Sequence, residues 1–314
     1  MRILVLGFNG YLGRHITEHL RAALPNTSLL TAGRSPTADV RVDLASDHPG
    51  RLAEALASAA PDAVVNCAGL TGGDAMAQAE VNARGPAALC AALRQAAPLA
   101  RLVHLGSAAE YGPGVPGTRM TESAATCPAG PYGATKLAGT AAVTTSGLDA
   151  VVLRVGNPVG PGAPLTSLPG RVAAMLRETG PDRRAVLWLG DLSAFRDFVD
   201  VRDVARAALL AVMANRPLPS VLNISGGEAR PVRELVRKLA LEAGFPGLIE
   251  EDGEGSARSS QVSWQCSSIA AAVDTLGWRP SHTLDESLAA LWAATGPADE
   301  AGHARHGAAA RRTS

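Results

Sequence analysis

The apolar run Ile3–Leu6 stops at Gly7, and two more glycines follow at three-residue spacing, Gly10 and Gly13, as a helical pattern begins at Tyr11. A strand that turns straight into a helix through glycine constrains this chain most, because a crossover helix returns the chain to a second, parallel strand. The rest of the first half obeys that logic. Short β-branched or leucine-rich runs at Leu29–Thr31, Ala63–Asn66, Leu102–Leu105 and Val151–Val155 alternate with helix-length segments at Tyr11–Ala23, His48–Ala59, Asp74–Gln95 and Tyr132–Ser146. The alternation predicts an α/β fold, a doubly wound parallel sheet covered on both faces. Within the third helix Gly85-Pro86 predicts a kink or a split, since proline removes a backbone donor.

After about Asn157 the texture changes. Pro158, Pro161, Pro164 and Pro169 stand close together, and shorter elements follow near Val172–Glu178, Ala185–Leu189, Asp203–Met213, Val221–Ile224, Val232–Ala243 and Leu284–Ala294. The predicted organisation is a dinucleotide-binding Rossmann-type domain over 1–156 and a smaller α/β carboxy-terminal substrate lobe over 157–295. The chain has material to re-enter the first sheet near 199–224. From Gly296 the sequence is Ala, Gly, Arg, His and Ser without periodicity, which predicts a disordered tail over 296–314.

Composition narrows the function classes. Lys plus Arg and Asp plus Glu each number 29, so no net field draws the chain to nucleic acid or a membrane surface, and an anionic ligand must be held by local groups. No apolar run is long enough to span a bilayer, and Met1–Leu6 reads as a strand, not a leader. Cys67, Cys90, Cys127 and Cys266 show neither metal-ligand spacing nor the density of a disulfide scaffold, which suits a reducing cytoplasm and implies no metal.

Gly7-Phe8-Asn9-Gly10-Tyr11-Leu12-Gly13 has the chemistry of a pyrophosphate cradle. Glycines let the backbone approach the ligand, and the helix start offers unpaired N–H groups and partial positive charge. The spacing is G-x-x-G-x-x-G, not the commoner G-x-G-x-x-G, so alone the signal is weak. Cys67, Ala68 and Gly69 place small residues after another strand, at the sheet edge where ligands of open α/β sheets bind. Asp43, with Leu44 beside it, is placed to meet the adenine. At the end of the second strand stands Ala32-Gly33-Arg34-Ser35, with no acid to take both ribose hydroxyls. Arg34 and Ser35 instead suit a 2′-phosphate, which favours NADP(H), with NAD(H) the alternative if Arg34 lies in solvent.

Tyr132 and Lys136 fall one helical turn apart on one face. A phenol ordinarily titrates at about 10, and a neighbouring ammonium favours its ionised form, bringing it toward general acid/base work. The same Lys136 can hold the nicotinamide ribose. Ser107, at the end of a predicted strand, can hydrogen-bond the reacting oxygen.

Together these residues resemble the extended short-chain dehydrogenase/reductase family, the NAD-dependent epimerase/dehydratase group, from Met1 to about Leu291. The likeness rests on the three glycines, Asn66-Cys67-Ala68-Gly69, Asn82, Ser107 with Glu110-Tyr111-Gly112, Tyr132/Lys136, Leu153-Arg154-Val155-Gly156-Asn157-Pro158, Arg196-Asp197-Phe198-Val199, Asn223-Ile224-Ser225-Gly226-Gly227 and Leu276-Gly277-Trp278-Arg279-Pro280. It implies a nucleotide-sugar substrate and a homodimer packed through helices like those at Asp74–Gln95 and Tyr132–Ser146. Dehydratases of this group carry an Asp-Glu pair after the catalytic Ser or Thr; Ala108 and Ala109 stand there instead, against dehydration and beside the substrate. The stretches Asn157–Gly162 and Gly190–Asp203 look most like the GDP-4-keto-6-deoxymannose reductases. By that resemblance Asn157, Arg196 and Arg258 contact the nucleotide diphosphate, although an ion pair from Arg196 to Asp197 or Asp200 is an equal expectation. Trp188 either stacks on the base or packs in the small lobe.

The expectation is therefore a 4-ketoreductase of an NDP-4-keto-6-deoxyhexose, or a 4-epimerase with tightly held NAD that uses the same residues twice. A non-catalytic NADP sensor is the distant alternative, since such proteins lose the Tyr or Lys present here. His15 and His104 read as surface or packing groups, and Cys90 as a small core residue.

Overall fold

The computed structural model describes residues 1–251 and 262–296. Arg258 and the predicted tail from 297 onward lie outside them. The first half runs β1 (Arg2–Leu6), α1 (Tyr11–Ala23), β2 (Ser28–Gly33), β3 (Val40–Arg41), α2 (Pro49–Ala59), β4 (Ala63–Asn66), α3 (Ala75–Ala79), α4 (Gly85–Ala96), β5 (Arg101–Ser107), α5 (Pro131–Thr144) and β6 (Ala150–Val155). The second half runs β7 (Asn157–Val159), α6 (Leu168–Thr179), β8 (Val186–Leu189), β9 (Phe195–Asp200), α7 (Val201–Met213), β10 (Val221–Ile224), β11 (Ala229–Pro231), α8 (Val232–Glu242), β12 (Leu248–Glu251), α9 (Ala270–Leu276) and α10 (Leu284–Ala294).

Seven strands form one sheet in the order β3-β2-β1-β4-β5-β6-β10. Each neighbouring pair is parallel. This is the doubly wound order, and it reverses between β1 and β4, so a crevice opens there at the carboxyl edge. β1 shows why its sequence is apolar throughout. Ile3 and Val5 enter the core beneath α1, α7 and α9, while Leu4 and Leu6 enter the opposite core beneath α2, α4 and α5. Trp278, fully buried, fills the first of these cores and donates its indole N–H to the Asp203 carbonyl at 2.9 Å. A third core, under α6, α8 and α10, belongs to the smaller sheets β7-β9-β11 and β8-β12.

The predicted helix over Asp74–Gln95 is split, and the split falls earlier than Gly85. Asp74 caps α3 through the Ala77 N–H, and a π-helical turn over Glu80–Arg84 precedes α4. Pro86 has no N–H to give the Asn82 carbonyl four residues back, so the ladder loosens there. α5 packs into the gap: a Cβ on Gly139 would overlap that same carbonyl oxygen.

Candidate active site

The glycine turn is built by close approach. Gly7 holds φ +72°, a left-handed conformation that favours glycine, and a Cβ there would lie 2.7 Å from the Ala68 nitrogen. A Cβ on Gly13 would overlap the Gly7 carbonyl oxygen, so α1 starts hard against the end of β1. Asn9 and Gly10 stay exposed at the mouth, while Phe8 and Leu12 pack on the core. Tyr11 points across to the second half, its hydroxyl donating to the Gly160 carbonyl at 3.3 Å, and burial pushes its pKa up. The β1 and β4 ends therefore meet at the sheet's switch point, where backbone N–H groups, small residues and a helix start suit a dinucleotide pyrophosphate.

Around the expected adenine end the residues differ in their contacts. Arg34 is exposed and Ser35 pairs with Thr37. Asp39, the acid in the β2–β3 link, is engaged by the Thr31 N–H and hydroxyl, which hold its carboxyl below the usual range. Asp43 folds back on the Ala45 N–H, and Leu44 is a core side chain whose carbonyl accepts from Arg84. Asn82, fully buried, takes the Leu70 N–H on Oδ1 and donates through Nδ2 to the Leu70 carbonyl and the Thr135 hydroxyl. It thereby pins the loop after Gly69 to α5.

α5 begins at Pro131, whose missing N–H costs nothing at a first helical position. It carries Tyr132, half-buried, and Lys136, 4% exposed. The Lys136 ammonium donates to the Leu105 carbonyl, and a Cβ on Gly69 would stand 4.0 Å from it. Burial pulls Lys136 down to about 8, against the opposing pull of Glu110 and then Cys67. Ser107, 8% exposed, ends β5 and accepts the Ala109 N–H on Oγ, leaving its own O–H as a donor. Ala109 presses on the helix start, its carbonyl 2.5 Å from where a Gly133 Cβ would be. Ser107, Tyr132 and Lys136 thus come from two elements in contact beside the Cys67-Ala68-Gly69 edge.

Behind them His104 is fully buried. Asn66 Oδ1 accepts the Ala68 N–H, which turns its amide N–H toward His104 Nδ1 at 3.1 Å. Burial, and then Lys136, hold that imidazole neutral.

On the opposite wall, Asn157 donates to Gln265 Oε1 at 2.9 Å and to the Asp197 carbonyl at 3.4 Å. The expected ion pair from Arg196 to Asp197 or Asp200 is corrected. Asp197 spends its carboxylate on the Gly227 and Ser267 N–H groups, and Asp200 pairs with Arg202. Arg196 donates to its own Phe195 carbonyl, has no ion pair among the described residues, and burial lowers its pKa. Trp188 is not packed in the small lobe: it is 60% exposed on β8, where alternation sends Leu187 and Leu189 inward. Among the described residues no cluster of metal-ligating side chains occurs, and no helix is long and apolar enough to cross a membrane.

The family model for the NAD dependent epimerase/dehydratase family matches residues 3–225. The chain belongs to that family. It is accordingly a nicotinamide-dependent enzyme of the extended short-chain dehydrogenase/reductase type. It is 38% identical to the dTDP-6-deoxy-L-talose 4-dehydrogenase (NAD(P)(+)) of Kitasatospora kifunensis, over 93% of this chain and 95% of that one. It is 29% identical to the GDP-6-deoxy-D-mannose reductase of Pseudomonas aeruginosa, over 92% and 95% of the two chains. The structure of RMD from Pseudomonas aeruginosa complexed with NADPH superposes with a TM-score of 0.80 at 27% identity, covering 93% of this chain and 98% of that one.

For this family member, sequence reasoning missed the residues that support the site without facing it. Glu110 and Arg154 form a buried ion pair, and Gln265 and Ser267 reach Asn157 and Asp197 from far along the chain. Glu110 and Arg154 stood inside quoted motifs, but only proximity in space reveals their pairing.

Proposed function

We propose that the chain is an NADP(H)-dependent 4-ketoreductase of a nucleoside-diphosphate 4-keto-6-deoxyhexose, with the dinucleotide on the 1–156 portion and the sugar nucleotide on 157–295. The observation that carries this reading is the Tyr132/Lys136 helix set against a Ser107 turn whose next residues, Ala108 and Ala109, bring no acid for dehydration. The two relatives named for 6-deoxyhexose dehydrogenation or reduction support it. NADP(H) is favoured because Arg34 and Ser35, and no acid, directly follow β2, while Asp39 is bound to Thr31; the exposure of Arg34 keeps NAD(H) as the second reading.

When bound, the nicotinamide supplies the hydride to the sugar C4. Tyr132 gives its hydroxyl proton to the C4 oxygen, and the Ser107 O–H orients that oxygen. Lys136, held by the Leu105 carbonyl, stabilises the phenolate left on Tyr132 and is a cation below about 8. Arg196, a half-buried guanidinium with no ion pair among the described residues, takes the diphosphate together with Asn157. The reading includes a homodimer packed through α4 and α5, whose outward Ala87, Ala134 and Ala138 are exposed.

A panel of dTDP- and GDP-4-keto-6-deoxyhexoses with NADPH or NADH tests it. Net NADPH oxidation with formation of one C4 alcohol is the expected result. Interconversion of two sugars without net redox change assigns the chain as an epimerase instead.

A further inference from the structure

We infer that the buried Glu110–Arg154 pair is a positioning device for catalysis, in which one carboxylate sets the Ser107 turn and acts electrostatically on the Lys136 ammonium. This inference rests on the Ser107/Tyr132/Lys136 reading and adds two residues to it. Glu110 is fully buried, and both of its oxygens are assigned. Oε1 accepts the backbone N–H of Ser107 at 2.8 Å, and Oε2 accepts Nε of Arg154 at 2.8 Å. Ser107 Oγ in turn accepts the Ala109 N–H, so side chain and backbone close a capping box around the catalytic serine.

The strand has been cleared to admit this carboxylate. A Cβ on Gly106 would lie 2.7 Å from Glu110 Oε1 and 2.7 Å from Val152. Arg154, 5% exposed, comes from β6 and lays its guanidinium 4.6 Å from the centre of the Tyr111 ring. Tyr111, the residue after Glu110, donates its hydroxyl to Asn223 Oδ1 at 2.8 Å, and Asn223 donates onward to the Met120 and Ser268 carbonyls. A turn of three residues is therefore fixed from β6, β10 and the Ser268 segment at once.

A buried pair of this kind is a poor source of stability, because desolvation consumes most of its Coulomb gain. Its Arg154 Nη1 even lacks a partner among the described residues. A positioning role accounts for its presence. The titratable groups around Lys136 are Glu110 and Arg154 behind the serine turn, the Cys67 thiol after β4, the His104 imidazole on β5 and Tyr132 on its own helix; from the α3–α4 side the uncharged Asn82 approaches. Cys67 and His104 are neutral at pH 7, since burial pushes the thiol up to about 12 and the imidazole well down. Glu110 is thus the anion that supports the Lys136 cation, offset in part by Arg154.

The test uses three variants, assayed as NADPH oxidation with whichever dTDP- or GDP-4-keto-6-deoxyhexose the wild type reduces. Glu110→Asp keeps both charges and shortens the arm by one methylene. It should lower kcat by roughly 10-fold through a displaced Ser107, leaving the alkaline limb of the pH profile and the KM for NADPH in place. The double variant Glu110→Gln/Arg154→Met keeps the acceptor for Ser107 and removes both charges. Its alkaline limb should move to lower pH by about half a unit or more. Wild-type kcat in Glu110→Asp, or an unmoved limb in a folded double variant, overturns the inference. If the double variant does not fold, Glu110→Asp decides alone. Tyr132→Phe separates the two claims: full activity there sinks the catalytic reading itself, whatever Glu110 does.

Discussion

The two walls of the cleft are made differently. On the proposed nicotinamide wall the parts are strand ends and one helix, each set by a short stretch of sequence: Gly7–Gly13, Cys67–Gly69, Ser107–Glu110 and Tyr132–Lys136. On the proposed diphosphate wall Gln265 and Ser267 return from far along the chain to hold Asn157 and Asp197, while Arg196 donates to the Phe195 carbonyl. The first wall is fixed by backbone proximity and has no room for a Cβ at Gly7, Gly13 or Gly133. The second is fixed by polar contacts between distant segments and carries Arg196, a half-buried cation with no ion pair among the described residues. A wall of the first kind fails when its geometry is disturbed. On the reading proposed above, the charge on the second wall is met by ligand, so affinity and stability pull apart there.

Gly13→Ala attacks the nicotinamide wall directly, since the new methyl overlaps the Gly7 carbonyl oxygen. Calorimetric titration with NADPH should show affinity reduced by ~100-fold, with stability down by about 1–3 kcal/mol. Wild-type affinity would mean that the turn relaxes freely and that the contrast between the walls is false.

Arg196→Met attacks the other wall. Losing a charge-assisted contact to a diphosphate should raise the sugar-nucleotide KM by roughly 10- to 100-fold, while the KM for NADPH stays put. Melting should fall little, because the half-buried Arg196 has no ion pair among the described residues. A lowered melting temperature with an unchanged KM would make Arg196 a structural residue.

The pH profile sharpens the nicotinamide side. The Lys136 pKa is brought down to about 8, so its cation is lost as pH rises through that value. Reduction should therefore be flat below about 7.5 and fall by roughly 10-fold for each unit above about 8.5. A profile flat to pH 10 would show that the ammonium is not needed. The smallest effect is expected from Trp188→Ala: within about 0.5 kcal/mol in stability, because the ring is 60% exposed, and at most a few-fold in sugar-nucleotide KM. A larger rise in KM would identify Trp188 as the surface on which the base stacks.

The sequence by itself determined β1, β2, β4, β5 and β6, the glycine turn, the Tyr132/Lys136 spacing and the family, because each is a local pattern of backbone preference, hydrophobic period or helical pitch. Its reading of Asp74–Gln95 was close but placed the break at Gly85, whereas the freed Asn82 carbonyl beneath Gly139 moved it to Glu80–Arg84. Only tertiary structure decided that Arg196 has neither neighbouring acid, that Leu44 turns inward, that Trp188 faces out, and that Glu110 meets Arg154 behind the catalytic serine. Those outcomes depend on which charges and apolar faces arrive from distant segments, and no residue's immediate neighbours in the chain contain that information.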